Sequence, residues 1–305
     1  MNTLDVTKGV TLVDVRYLGS PGYIAPCILQ DASGIAVVDP GPTSSLAGLE
    51  AGLAERGLST ADIHTLLLTH IHLDHAGATG TLVKRHPKMR VFVHERGARH
   101  MIDPAKLLAS AQRLYGEHMN YLWGEFLAVP AENVTAMAGG ETITVGGRKL
   151  EVIYTPGHAV HHVTYFDQVD GIAFTGDTTG LRPLNVPCPM PVTPPPDIDL
   201  EAWRTSLAAI RARRPEKIYL THFGPNADVE WHIAELSERL EKWAEQVGSD
   251  VKSNRPEGEA SADFAKTQQA ILTERIPASA FGPMIRTEML VSSWLGLARY
   301  WKKGQ

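Results

Sequence analysis

Thr69-His70-Ile71-His72-Leu73-Asp74-His75-Ala76-Gly77 packs four side chains of metal-ligand chemistry into the six residues 70–75. The stretch follows IHTLLLTH (63–70), a near-continuous apolar run that reads as a buried central strand. Residues 76–86 read as a helix that stops before Pro87. On extended backbone His70 and His72 project to one side. A tight turn into the helix brings Asp74 and His75 toward the same point. Crowding these groups without a cation is costly, and imidazole with carboxylate suits zinc, iron or manganese.

Three later segments share one design, a strand whose end carries a ligand-type side chain. They are Thr155-Pro156-Gly157-His158, Phe174-Thr175-Gly176-Asp177 and Tyr219-Leu220-Thr221-His222. Loops at a sheet edge are where a rigid scaffold places chemistry. The strands behind them read as 10–19, 23–31, 35–41, 63–70, 90–95, 133–137, 141–155, 163–168, 171–177 and 217–221. Asp31-Ala32-Ser33-Gly34 reads as a hairpin turn. Helices are expected over 43–57, capped by Ser44 or Ser45, and over 199–213. The strand-rich halves 10–95 and 133–222 read as two layers, separated by a bulky helical insert at 96–128. Seven prolines between Pro183 and Pro196 predict a stiff loop. In 228–247, Val229, Ile233, Leu236, Leu240, Trp243 and Val247 form an apolar helical seam; a polar linker (253–260) and further helices follow.

Composition narrows the function. The chain has 305 residues, 29 Lys+Arg against 34 Asp+Glu, 43% hydrophobic and 21% charged residues. That is globular composition. A net charge of -5 argues against nucleic-acid binding by bulk charge. No apolar run approaches the roughly 18 residues of a membrane span. The opening MNTLDVTKGV has no apolar signal core, which predicts a cytoplasmic protein. Thirteen histidines stand against two cysteines, Cys27 and Cys188, neither at a ligand position, so a site built from nitrogen and oxygen is expected. His64, His86, His94, His100, His118 and His232 read as surface or packing residues. His161 and His162 are not expected to ligate, and His162 reads as a support for the site.

In this order and spacing, HxHxDH, a His after Thr-Pro-Gly, Gly-Asp and Thr-His resemble the metallo-β-lactamase fold metallo-hydrolase superfamily. The resemblance covers roughly residues 10–225. It points to a glyoxalase II-like or lactonase-like branch rather than to the β-lactamases themselves. It implies an α/β architecture, the αββα metallo-β-lactamase sandwich, here with a helical insert and a C-terminal helical extension. The catalytic domain would span 1–227 and the extension 228–305. The resemblance also implies two divalent metal ions, zinc first and iron or manganese as alternatives. His70, His72 and His158 would hold one, Asp74, His75 and His222 the other, and Asp177 would bridge them.

The implied activity is hydrolysis of an ester, lactone or thioester with an apolar acyl part. A metal-bridging hydroxide attacks the carbonyl, and Asp74 orients it or carries its proton. The alternatives are a persulfide dioxygenase-like oxidoreductase with one iron, or β-lactam hydrolysis as a side activity. Thr178-Thr179-Gly180-Leu181-Arg182-Pro183 departs from the Gly-Cys-Gly-Arg pattern usual in glyoxalase II, which argues against glutathione thioesters. The Tyr that lactonases often carry after the bridging Asp is missing, so a lactonase would need another oxyanion donor. The partner is a small-molecule substrate, with no nucleic acid and no membrane; a homodimer is an open option. The insert 96–128, with Met101, Met119, Tyr121, Trp123 and Phe126, reads first as core packing or a dimer contact; a lid over the metal edge is the alternative.

Overall fold

The computed structural model describes residues 2–31, 34–277 and 286–303. Its first sheet runs, in spatial order, β1 (Thr3–Thr7), β2 (Val10–Val13), β3 (Cys27–Asp31), β4 (Gly34–Val38), β5 (Ile63–Leu67), β6 (Arg90–His94) and β7 (Val134–Met137). The second holds β8 (Thr142–Val145), β9 (Arg148–Tyr154), β10 (Val163–Asp167), β11 (Ile172–Phe174), β12 (Lys217–Leu220) and β13 (Gly224–Asn226), also neighbours in sequence order. On the first sheet lie α1 (Leu46–Glu55), α2 (Leu73–Ala76), α3 (Thr79–Arg85), α4 (Glu95–Ile102), α5 (Ala105–Tyr115) and α6 (Met119–Trp123). On the second lie α7 (Leu200–Ala212), α8 (Val229–Lys252), α9 (Glu257–Arg275) and α10 (Thr287–Lys303).

Side-chain alternation builds three apolar layers from two sheets. Val38, Leu67 and Phe92 point inward and meet Val152, Tyr165, Phe174 and Tyr219 of the second sheet. Their neighbours Val37, Leu66, Val91 and Val93 point outward against Leu49, Leu53, Leu82 and Met101. On the far side Ile153, Ala173, Ile218 and Leu220 meet Trp203, Leu207, Leu236, Trp243 and Trp294. The result is the expected αββα sandwich. The C-terminal helices α8–α10 share the apolar cluster of α7 and the second sheet.

Several sequence readings need correction. Residues 141–155 are two strands, because Gly146 and Gly147 take left-handed φ of 58° and 68° and turn the chain between β8 and β9. Residues 43–57 are helical only from Leu46, after a 3-10 turn at Thr43–Ser45. Neither serine caps α1: the Ser44 hydroxyl donates to Leu122 O, and the Ser45 hydroxyl is buried without a partner. The helix at 76–86 is split into α2 and α3. The strand at 10–19 ends at Val13 and gives way to a 3-10 turn at Tyr17–Gly19. β1 and β13 were not expected; both are short outer strands whose pattern lacks a buried run. β7, assigned to the second half by sequence, pairs with β6 and so completes the first sheet. Ala32 and Ser33 of the expected hairpin turn lie outside the described residues, although Asp31 and Gly34 pair across β3 and β4.

Candidate metal centre

All seven predicted site residues converge at one edge of the sandwich. β4 and β5 run parallel, as do β11 and β12, and β9 runs the same way as β11 because β10 is antiparallel to both. Their C-terminal ends therefore open onto the same edge. Two glycines permit the close approach. A Cβ at Gly176 (φ 46°) would stand 2.4 Å from Thr69 Oγ1 and 2.6 Å from His162 Nε2. A Cβ at Gly157 (φ 137°) would stand 2.4 Å from the Trp203 backbone.

The ligand-type atoms form two overlapping sets. His70 Nε2 and His158 Nε2 lie 3.0 and 2.9 Å from His72 Nδ1. Asp74 Oδ2 lies 3.3 Å from His222 Nε2, which lies 3.2 Å from His75 Nε2. Asp177 reaches both sets, with Oδ1 3.2 Å from His75 Nε2 and Oδ2 3.5 Å from His158 Nε2.

Partners on the far side of each ring decide which nitrogen faces the centre. His158 Nδ1 donates to Val192 O at 2.7 Å, and His222 Nδ1 to Tyr23 O at 2.7 Å. His75 Nδ1 donates to Asp39 Oδ2 at 2.8 Å. A neutral imidazole has one donor and one acceptor nitrogen, so each of these three Nε2 atoms presents a lone pair inward. In the neutral form that ligation requires, His75 and His222 face each other lone pair to lone pair. His72 Nδ1 can donate to only one of the two nitrogens beside it. Asp177 Oδ1 is buried with no directed hydrogen bond. Converging, uncompensated lone pairs of this kind fit a bound cation, and the donor set is all nitrogen and oxygen.

The electrostatics divide the same way. Burial above all pushes His70 and His158 below the ordinary histidine range and His72 to about 3; neighbouring imidazoles add to it at His70 and His72, while at His158 the Asp177 carboxylate works against it. These rings are neutral at physiological pH, as ligands must be. Burial also opposes charge on His75 and His222, but the carboxylates of Asp177 and Asp74 outweigh it and raise both. Burial opposes ionisation of Asp74, yet His75 and His222 hold it at about 2. Positive charge is therefore favoured at the His75–His222 side. Asp74 keeps 25% of its side-chain exposure, and it and His72 are the two of the seven residues that are not buried.

Asp39, which falls in the stretch 35–41 read from sequence as a strand, supports the centre. It is fully buried, with φ 49°. Its carboxylate accepts from Thr69 N (2.8 Å), Thr69 Oγ1 (2.7 Å) and Thr221 Oγ1 (2.6 Å) as well as His75. The available signal was a carboxylate at a strand end, the placement shared by Asp177. His162 does not join either set. Its Nε2 accepts from Asp177 N at 3.1 Å and its Nδ1 meets Thr155 Oγ1 and Thr178 Oγ1, so it holds the Asp177 loop. His161 is buried behind His70, 6.1 Å between ring centres. His94 and His232 are buried packing residues, while His64 and His118 are exposed.

The fold and this edge define a mixed α/β protein with a histidine–aspartate centre of metal-binding type. Residues 22–222 match the Metallo-beta-lactamase superfamily, and the chain belongs to that family. It is 31% identical over 163 residues to a metallo-beta-lactamase fold-containing protein of Sulfurisphaera tokodaii, covering 52% of this chain and 60% of that one. It is 30% identical over 148 residues to a hydroxyacylglutathione hydrolase of Synechococcus, covering 48% and 45%. The chain thus spans 45–60% of the length of these curated relatives. The crystal structure of a metallo-beta-lactamase family protein from Thermus thermophilus has the same fold, with TM-score 0.68, 24% identity, and coverage of 98% and 95%. Among the described residues no helix is long and apolar enough to cross a membrane.

Proposed function

We propose that the chain is a dinuclear metal-dependent hydrolase of carbonyl esters, thioesters or lactones with an apolar acyl part, acting on a small molecule in the cytoplasm. The observation that carries this reading is the pair of three-residue ligand sets, His70/His72/His158 and Asp74/His75/His222, spanned by Asp177. Two divalent ions held there, zinc in first place, would supply Lewis acidity and a water acidic enough to ionise near neutral pH. The residues do the rest. Asp177 keeps the two sets at a common spacing, and Asp39 and His162 fix the orientation of His75 and of the Asp177 loop. Asp74, which keeps solvent exposure, orients the nucleophile and carries a proton toward the leaving group. The likeness to a hydroxyacylglutathione hydrolase supports acyl transfer to water. The Thr178–Pro183 sequence, unlike Gly-Cys-Gly-Arg, favours an acyl donor other than glutathione.

Metal quantification on the purified protein should give about two divalent ions per chain. Turnover should appear on a panel of lactones, thioesters and esters. Asp177→Ala should lose metal and drop kcat/KM at least ~100-fold. One iron per chain with thiol-dependent oxygen uptake would replace hydrolysis by an oxidoreductase. Full metal and activity in Asp177→Ala would remove the site assignment.

A further inference from the structure

Three tyrosines between and beside the sheets have their hydroxyl engaged. Tyr165 Oη donates to Leu68 O at 2.9 Å, Tyr219 Oη to Ala25 O at 3.0 Å, and Tyr154 Oη to Val160 O at 2.9 Å. Tyr17 and Tyr115 differ. Tyr17 is buried and Tyr115 half-buried, yet among the described residues neither hydroxyl has a hydrogen-bond partner. Both rings pack on Trp123. Tyr17 stacks at 5.8 Å and 19°, and Tyr115 meets it edge-on at 5.1 Å and 70°. Trp123 Nε1 is itself buried without an acceptor among the described residues. An enclosed indole donor left open costs about 1–3 kcal/mol if nothing fills it, and the two phenol hydroxyls stand beside it.

This trio sits one loop from the candidate centre. Trp123 ends α6, which is fastened to the loop after β4: Ser44 Oγ donates to Leu122 O at 2.6 Å. The same loop is tied to the ligand turn by Thr43 Oγ1 to Gly77 O (3.1 Å) and Gly41 N to His75 O (3.1 Å). Tyr17 shares its apolar cluster with Leu73, the residue before Asp74. Burial, with the Asp74 charge added, pushes both phenols far up, so they are protonated donors at every physiological pH. Asp74 is also, with His72, one of the two residues of the centre that keep solvent exposure.

We propose that Tyr17, Tyr115 and Trp123 form the acyl-binding subsite of this enzyme. The two phenols donate to an oxygen carried within the acyl group, and the three aromatic faces cover its apolar chain. The ligand class is a carbonyl-bearing (oxo-substituted) acyl group. The inference rests on the hydrolase reading for its chemistry, but the binding it predicts can be measured without turnover.

The test uses two acyl thioesters of equal chain length, one with and one without a 3-oxo group, and the variants Tyr17→Phe and Tyr115→Phe, which keep the rings. Each variant should lower the ratio of kcat/KM for the oxo over the plain substrate roughly 3- to 10-fold, chiefly through KM. Separately, a 3-oxo carboxylate titrated into the metal-loaded protein should change tryptophan fluorescence. Trp123→Phe should abolish the change, and Tyr17→Phe should weaken the affinity by a similar factor. An unchanged substrate ratio together with unchanged carboxylate affinity in both Tyr variants overturns the subsite and leaves the hydrolase reading standing. Native protein that binds the carboxylate in a Tyr-dependent way but turns over neither the thioesters nor esters and lactones of the same acyl groups overturns the hydrolase reading and keeps the subsite.

Discussion

The two helical layers of the sandwich treat their aromatic residues in opposite ways. Over the second sheet, Trp203 donates to Thr178 O at 2.7 Å, Trp243 to Gln268 at 2.8 Å, Trp294 to Asp250 at 3.1 Å and Trp301 to Ala244 O at 2.8 Å. Over the first sheet, among the described residues, Trp123 Nε1 has no acceptor, the hydroxyls of Tyr17 and Tyr115 have no hydrogen-bond partner, and Tyr121 stands 63% exposed. A layer that satisfies its buried tryptophans, leaving only the exposed Trp231 of α8 without a hydrogen bond among the described residues, serves stability. A layer that leaves donors open beside a centre of metal-binding type serves recognition, because only there can a ligand supply the missing acceptor.

That contrast can be broken by stability measurements. Trp203→Ala should cost about 3–5 kcal/mol in urea unfolding, since Trp203 is fully buried and covers the Gly157 turn beside His158. Trp123→Ala, half-buried, should cost about 1–2 kcal/mol. Equal losses would end the distinction between the layers.

Acid should act on the satisfied layer through His232, which is buried against Thr179 O at 2.8 Å. Burial pushes it from 6.5 to about 4, so the unfolded chain takes up a proton before the folded one does. Its contribution is complete above pH ~6.5 and is lost as pH falls toward ~4, by about 3 kcal/mol. Comparing urea midpoints of native protein and His232→Gln at pH 7.5 and 4.5 reads this directly. The variant should lose less on acidification, and identical losses would exclude His232 as the cause.

Asp39→Asn should weaken metal binding about 10- to 100-fold in chelator competition while leaving far-UV circular dichroism unchanged. Native affinity in that variant would show that the His75 orientation does not depend on Asp39. The smallest effect belongs to Tyr121→Ala, whose exposed ring should change stability by less than about 0.5 kcal/mol. A larger loss would mean that Tyr121 is covered in solution, and a homodimer contact over the insert would then be the first thing to examine by sedimentation.

The central strands and the strand-end histidines were legible because their information is local. A run such as Ile63–Leu68 has no surface alternative, and four ligand-type side chains in six residues have no ordinary packing role. Edge strands carried no such pattern, so β1 and β13 were missed. The split at Gly146-Gly147 was hidden inside an alternation that reads equally as one long strand. The insert was correctly helical, and its Met101 and Phe126 pack in the core as first expected. The relation of its remaining aromatics to Tyr17, about a hundred residues earlier, was invisible along the chain.

By itself the sequence determined the family, the two-sheet architecture and the seven residues worth testing as ligands. Each of these depends on periodicity or on motifs a few residues long. Only the tertiary structure decided that Asp39 orients His75, that His162 holds the Asp177 loop, and which aromatic donors go without a hydrogen-bond partner among the described residues. The physical reason is that satisfaction of a polar atom is a property of its three-dimensional neighbours. His222 and Tyr23, or Trp123 and Tyr17, meet only once the strands and helices between them have packed.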